Sequence, residues 1–153
     1  MNLTFQRAGS ANIELLLGLV RAFYEFEGIA FDVQRIRQGL AELMANPALG
    51  GAWMIERRGA VLGYFVLSLG FDLEFGGRQA TVTELYLVPE GRRAGTGTAA
   101  LLFIEATLRE LGIGEYELQA DRSNVAALAF YRRFGFHAHD RVPMSKSVPS
   151  IDR

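Results

Sequence analysis

The stretch "ELYLVPEGRRAGTGTAALLFIEA", from Glu84 to Ala106, decides the fold. An apolar run ends at Pro89, two arginines follow, and Gly95 and Gly97 open an alanine- and leucine-rich segment typical of a helix. Unless these glycines only shape a loop, the pattern predicts an anion site. The free amides and the dipole of a helix start face outward there, and no Cβ blocks the approach.

Two familiar phosphate-binding loops fit this turn poorly. Residues 95–100 match G-x-G-x-x-A, a variant of the dinucleotide fingerprint. In that fold the strand runs almost directly into the first glycine, whereas six residues separate Val88 from Gly95 here. The loop that holds nucleotide triphosphates ends in Gly-Lys followed by Ser or Thr, but Gly97 is followed by Thr98.

The remaining hypothesis is a cradle for pyrophosphate. The guanidinium groups of Arg92 and Arg93 would neutralise a doubly charged pyrophosphate. The backbone amides from Ala94 to Thr98 would bind its oxygens. The sequence therefore favours a ligand that carries a pyrophosphate group.

Hydrophobic periodicity predicts an α/β (α+β) fold in a single domain over residues 1–148, with a flexible tail at 149–153. The expected order is β-α-α-β-β-β-α-β-α-β, with a mixed sheet that is antiparallel in its first half and a right-handed crossover through the glycine-rich turn. The predicted elements are a strand at 3–7, a helix after Ser10, a helix at 33–44, strands at 52–56, 61–69 and 79–88, a helix at 97–111, a strand at 116–120, a helix at 125–134 and a closing strand near 137–144.

Composition excludes several functional classes. A net charge of −1 provides no field that would attract nucleic acid. The absence of cysteine excludes disulfides, thiolate metal sites and a cysteine nucleophile. No signal peptide or apolar run of spanning length is found, so a cytoplasmic location away from membranes is expected. His137 and His139 have no partners at metal-ligand spacing, and no metal is expected.

Two motifs carry a resemblance to a known family. The pattern Arg92-x-x-Gly95-x-Gly97, set after "LYLVPE", resembles the acetyl-coenzyme A turn of the GNAT acetyltransferases. Downstream, "RSNVAALAFYRRFGF" at 122–136 is similar to the second motif of that family, which places Asn, Ala, Phe-Tyr and Gly-Phe at this spacing. The two motifs cover about residues 84–136, and the predicted strand order upstream agrees with the family.

The resemblance implies an N-acetyltransferase that moves an acetyl group from acetyl-coenzyme A directly to an amine. It also implies that the glycine-turn strand separates from its neighbour and leaves unpaired main-chain groups for the pantetheine arm. The oxyanion is expected to be stabilised by a backbone amide, with Leu87 as the candidate. The residues that it assigns to the cofactor are Leu87, Arg92, Arg93, Ala94, Gly95, Thr96, Gly97, Thr98 and Asn124. Asn124 also fits an ordinary helix cap, and both roles can hold together.

Tyr131 is the expected general acid. Asn124 and Tyr131 are seven residues apart and share one helix face. A phenol with a pKa of about 10 can reprotonate a thiolate whose conjugate acid has a pKa of about 8.5. The alternative is that Tyr131 only packs, as Phe130 and Phe134 do.

Glu84 is the expected general base, directly or through water, because a primary amine is mostly protonated at neutral pH. Many members of the family carry paired acids before this segment, but Thr83 occupies the first of those positions. Period-two alternation places Glu84 with Tyr86 and opposite Leu85 and Leu87. A solvated strand glutamate remains an equal alternative.

The acceptor is expected to be a small molecule, because no additional peptide-docking module is apparent. Glu25 and Glu27, at the end of the first helix, can either recognise a cationic acceptor or form a solvated helix end. A homodimer is possible, since dimers are common in the family. The alternative function is a non-catalytic acyl-coenzyme A sensor, which Thr83 favours and Tyr131 disfavours.

Overall fold

The structure is a computed structural model that describes residues 2–149. The described residues form two compact units with their boundary between Gln119 and Ala120. The strands are β1 (Leu3–Arg7), β2 (Gly50–Arg57), β3 (Ala60–Asp72), β4 (Gly77–Leu87) and β5 (Tyr116–Leu118), and the helices are α1 (Ile13–Glu27), α2 (Val33–Ala45), α3 (Thr96–Glu110) and α4 (Val125–Phe134). The predicted fold class is confirmed, and each of these elements was expected within a few residues.

Three details of the prediction need correction or lie outside the structure. Helix α1 begins at Ile13, because the residues after Ser10 first form a short 3-10 turn in which the Asn12 side chain accepts the Gly9 N–H at 2.9 Å. The closing strand near 137–144 is wrong: residues 137–144 are exposed and form no strand. They include Pro143, which has no N–H for a ladder, and four histidine or charged side chains. Of the predicted tail, residues 150–153 lie outside the described residues.

The sheet has the order β1-β2-β3-β4-β5, with β1 to β4 antiparallel and β5 parallel to β4. Its two faces carry different helices. Tyr64 and Tyr86 pack with buried residues of α1 and α2. On the opposite face, Phe65 packs against Phe103 of α3, with ring centroids 6.1 Å apart.

One irregularity changes the faces of β4. Val66 pairs with Glu84 whereas Leu67 pairs with Val82, so Thr83 is an extra residue that forms a β-bulge. The bulge places Glu84 and Tyr86 on the face of α1, while Val82 points to the face of α3. This confirms the predicted alternation of Glu84 and Tyr86.

Strands β3 and β4 approach each other closely at Gly63. A Cβ at this position would lie 2.0 Å from the carbonyl oxygen of Tyr86. We expect Gly63→Ala to force the two strands apart and to lower the free energy of unfolding by about 1–3 kcal/mol, measured by urea denaturation. Gly18→Ala in α1 is the matched control, because its Cβ meets nothing within 4 Å. It should raise stability by about 0.5–1 kcal/mol. A neutral Gly63→Ala would contradict the close approach.

Candidate active site

Glu84 is held between two tyrosine hydroxyls. Tyr24 of α1 donates to its Oε2 at 2.8 Å, and Tyr64 of β3 donates to its Oε1 at 2.5 Å. The glutamate is half-buried, and Tyr64 is fully buried. Of the two alternatives for Glu84, the structure therefore excludes a freely solvated strand glutamate. Sequence reasoning missed both tyrosines.

The carboxylate changes the ionisation of its two donors. Burial, together with the hydrogen bond to and the charge of Glu84, raises the pKa of Tyr24 and the pKa of Tyr64 far above the ordinary value of 10.0. Both phenols consequently keep their protons and act as donors at neutral pH. Each carboxylate oxygen has a lone pair left for an ammonium group or a water.

Further aromatic rings pack beside the two tyrosine donors. Phe23 stacks on Tyr86 at 5.6 Å between centroids, and Phe31 meets Tyr24 edge-on at 6.1 Å. All of these residues belong to α1, the residues that follow it, or the α1 face of the sheet. The hydroxyl groups that hold Glu84 therefore belong to a cluster of packed rings.

The end of β4 is separated from β5. The parallel ladder joins Ala80, Thr81 and Val82 to β5, and β4 then continues to Leu87 with pairing only to β3. Leu87 lies opposite Gly63, while the neighbouring Val88 N–H bonds to Leu62 O at 2.8 Å. In an antiparallel ladder, successive N–H groups point alternately toward and away from the partner strand. Because the Val88 N–H points to β3, the Leu87 N–H points away from β3 and into the gap. This is the separation that the family resemblance implied.

The glycine-rich turn has the backbone of an anion site. Gly95 is the N-cap of α3, with φ of 74°, and Arg93 is also left-handed, with φ of 65°. The first N–H groups of α3, from Thr96 to Thr98, have no partner within the helix. Residues 88–95 separate β4 from α3, which confirms the gap that argued against a dinucleotide turn.

Arg57 of β2 forms a hydrogen bond to this turn, and this residue was not predicted from the sequence. Its Nη2 donates to Thr96 Oγ1 at 3.1 Å, and Thr96 is only 1% exposed. Its Nε is buried and has no hydrogen-bond partner in residues 2–149. A half-buried cation bonded to the first residue of α3, next to free helix amides, fits an anionic group such as pyrophosphate.

The side chains of Arg92 and Arg93, both predicted to bind pyrophosphate, lie in different surroundings. Arg93 is exposed beside the turn. The Nε of Arg92 donates to Leu87 O at 2.9 Å, and its guanidinium carbon lies 5.0 Å from the ring centroid of Phe26 and 5.7 Å from that of Tyr86. The side chain of Arg92 thus lies on the α1 face of the sheet, opposite to α3.

Asn124 and Tyr131 belong to the second unit. The Asn124 side chain accepts the Ala127 N–H at 3.2 Å and caps α4, which confirms the predicted cap. The ring of Tyr131 packs near those of Phe130 and Phe136, at 5.3 and 5.8 Å. The catalytic role of Tyr131 and the coenzyme A contact of Asn124 stay predictions.

Comparison with known proteins identifies the family. The sequence model of the Acetyltransferase (GNAT) family matches residues 17–136. The chain belongs to the GNAT family. The predicted family and the corresponding enzyme class, an acetyltransferase, are confirmed. No helix in residues 2–149 of this GNAT chain is long and apolar enough to cross a membrane.

Individual GNAT relatives share the fold at modest identity. A mycothiol acetyltransferase of Parafrankia sp. (strain EAN1pec) is 31% identical over 121 residues, which cover 71% of this chain and 36% of that protein. The chain therefore spans about a third of this relative. An integron cassette protein from the mobile metagenome of Cole Harbour Salt Marsh has a TM-score of 0.82 and 26% identity, over 96% of this chain and 91% of that one. A predicted acetyltransferase of Clostridium acetobutylicum, solved with acetyl-CoA, has a TM-score of 0.79 and 19% identity, over 94% and 96%.

The tyrosine donors predict a pH dependence of stability. A phenol whose pKa is raised in the folded protein contributes stability that is complete below the unfolded pKa and is lost as the pH rises through and beyond it. The wild-type protein should therefore lose stability as the pH rises above about 10. Tyr24→Phe removes one of these groups and should flatten that loss, measured as urea midpoints between about pH 8 and pH 11. An unchanged slope would contradict a raised pKa of Tyr24 in the folded protein.

Proposed function

We propose that this chain is an N-acetyltransferase that moves the acetyl group of acetyl-coenzyme A directly to a small-molecule amine. The observation that supports the proposal most strongly is the position of Glu84, a carboxylate fixed by Tyr24 and Tyr64 on the strand whose last residues separate from β5. A base for the amine and an amide for the oxyanion then belong to one short segment, 84–87.

The amides from Ala94 to Thr98 would hold the pyrophosphate of the substrate, and Arg93 would add an exposed positive charge. Arg57 would fix the turn through Thr96. The Leu87 amide would stabilise the oxyanion. Asn124 would contact coenzyme A while it caps α4. The predicted cytoplasmic location and homodimer belong to the same proposal.

Each proton that moves in the proposed acetyl transfer has a donor and an acceptor. Glu84 takes one proton from the ammonium group, and the free amine attacks the thioester carbonyl carbon. The carbon–sulfur bond then breaks, and the thiolate takes a proton from the Tyr131 phenol. The nitrogen releases its second proton to solvent, from which Tyr131 is reprotonated. Glu84 then loses its proton to solvent, so that one proton is released in each turnover. The products are the amide and free coenzyme A, and no covalent enzyme intermediate is needed.

A thiol-release assay over a panel of amines tests this function. We expect amine-dependent release of coenzyme A and a Tyr131→Phe variant with kcat lowered by about 10²–10⁴ at unchanged acetyl-CoA binding. Phe130→Leu, which alters the neighbouring ring, is the matched control and should have a much smaller effect. Tight acetyl-CoA binding without turnover of any amine would favour the sensor alternative. An active Tyr131→Phe would remove Tyr131 as the acid.

Replacing Glu84 tests the base separately. Glu84→Gln keeps the size of the side chain and removes the negative charge, so we expect kcat to fall at neutral pH and to recover partly at alkaline pH, where more of the amine is already deprotonated. The measurement is the pH–rate profile of kcat from about pH 6 to pH 10. A profile with the same shape as that of the wild type would exclude Glu84 as the base.

A further inference from the structure

Arg92 is a half-buried cation that has no acidic partner in the described part of the chain. Arg37 and Glu14 form an ion pair, and Arg92 takes part in none within residues 2–149. The Nε of Arg92 donates a hydrogen bond to Leu87 O, and the rings of Phe26 and Tyr86 lie against its guanidinium group. The two terminal nitrogens are left for a ligand. A guanidinium with a fixed Nε and two available Nη groups suits bidentate binding of a carboxylate.

Resting on the proposed function, we propose that the acceptor is an amino acid with an apolar side chain, whose ammonium group binds Glu84 and whose carboxylate binds Arg92. This assigns Arg92 to the acceptor and leaves the pyrophosphate to the amides of the turn, to Arg93 and to Arg57. It makes Arg92 a residue that determines specificity.

The two groups are brought together by neighbouring positions of β4. Both lie on the α1 face, and they are connected through packed rings: Tyr64 donates to Glu84 and packs on Tyr86, and Tyr86 lies against Arg92. Glu84 and Tyr86 are two residues apart on β4, which is about 7 Å along a strand. An amino acid with one hydrogen bond of about 2.9 Å at each end reaches across a distance of this order.

The charged side chains near these rings carry both signs. Arg35 acts electrostatically on Tyr24, and the guanidinium of Arg21 lies 4.6 Å from the centroid of Phe31. Glu25 and Glu27, at the end of α1, are exposed and half-buried respectively. A ligand that carries both an ammonium and a carboxylate group matches a surface with charges of both signs.

The apolar part of the ligand is indicated by Phe26. Its ring is 59% exposed although Arg92 lies against it, and Ile29 just beyond α1 is 49% exposed. An apolar side chain placed on Phe26 would cover this surface and exclude water from the pair between Arg92 and the carboxylate. Removal of this apolar surface from water would favour binding.

The test compares L-phenylalanine with L-phenylalaninamide in the thiol-release assay. The amide is the less basic amine, so more of it is deprotonated at neutral pH, and a preference for the acid runs against intrinsic reactivity. We expect kcat/KM to be at least about tenfold higher for phenylalanine. Spermidine should be the poorest acceptor. A preference for phenylalaninamide or spermidine would overturn the assignment.

Two neighbouring arginines provide matched variants. In Arg92→Gln the ratio of kcat/KM for acid and amide should fall to about one, and Arg92→Lys should restore only part of it. In Arg93→Gln the KM for acetyl-CoA should rise while the ratio stays at the wild-type value. The opposite pattern, with Arg92→Gln affecting only acetyl-CoA, would return Arg92 to the cofactor.

The outcomes separate this inference from the proposed function. If the wild type cleaves acetyl-CoA with amines but prefers those without a carboxylate, only the inference fails. If no amine causes thiol release, both fail. The wild-type comparison alone decides the inference when a variant does not fold.

Discussion

Strand β4 has two different partners, and the remainder of the candidate site depends on this difference. It pairs with β3 along its whole length but with β5 over three residues only. Where β5 is absent, main-chain groups of β4 face a gap instead of a neighbouring strand. The bulge at Thr83 lies at the start of this region and turns Glu84 toward α1. One extra residue therefore determines which face receives the carboxylate.

The hydrogen bonds of Glu84 explain how an acidic side chain is tolerated at that position. A half-buried carboxylate without donors would be costly, and two phenols remove this cost because each oxygen accepts one hydrogen bond. The donors come from α1 and β3, so the same contacts fix α1 against the sheet. Stability and the position of the Glu84 carboxylate are coupled here, since loss of either tyrosine would weaken both.

Much of the fold follows from the sequence, because periodicity and turn residues are local signals. The helix at 125–134 and its Asn124 cap were predicted at the observed positions. The bulge left no local signal. Tyr24 and Tyr64 lie 60 and 20 positions from Glu84 in the sequence, so their hydrogen bonds to it left no local signal either. For Tyr64 there was only an indirect signal. It pairs with Tyr86 across the hairpin, and Tyr86 shares a face of β4 with Glu84, so Tyr64 lies on that face too. The predicted strand at 137–144 failed because alternation alone does not supply a partner strand.

The two adjacent arginines show why composition at a motif does not determine its chemistry. Arg92 has an extended backbone, with φ of −82° and ψ of 159°, whereas Arg93 is left-handed. A left-handed arginine is unfavourable by roughly 1–2 kcal/mol, and such strain is found where the chain must turn sharply at a functional site. Here the change of backbone region leaves Arg93 exposed beside the turn while Arg92 lies against Tyr86 and Phe26 on the face of α1. Two adjacent arginines that look like one phosphate-binding pair in the sequence thereby lie in different surroundings, and the proposed assignment of Arg92 to the acceptor depends on this difference.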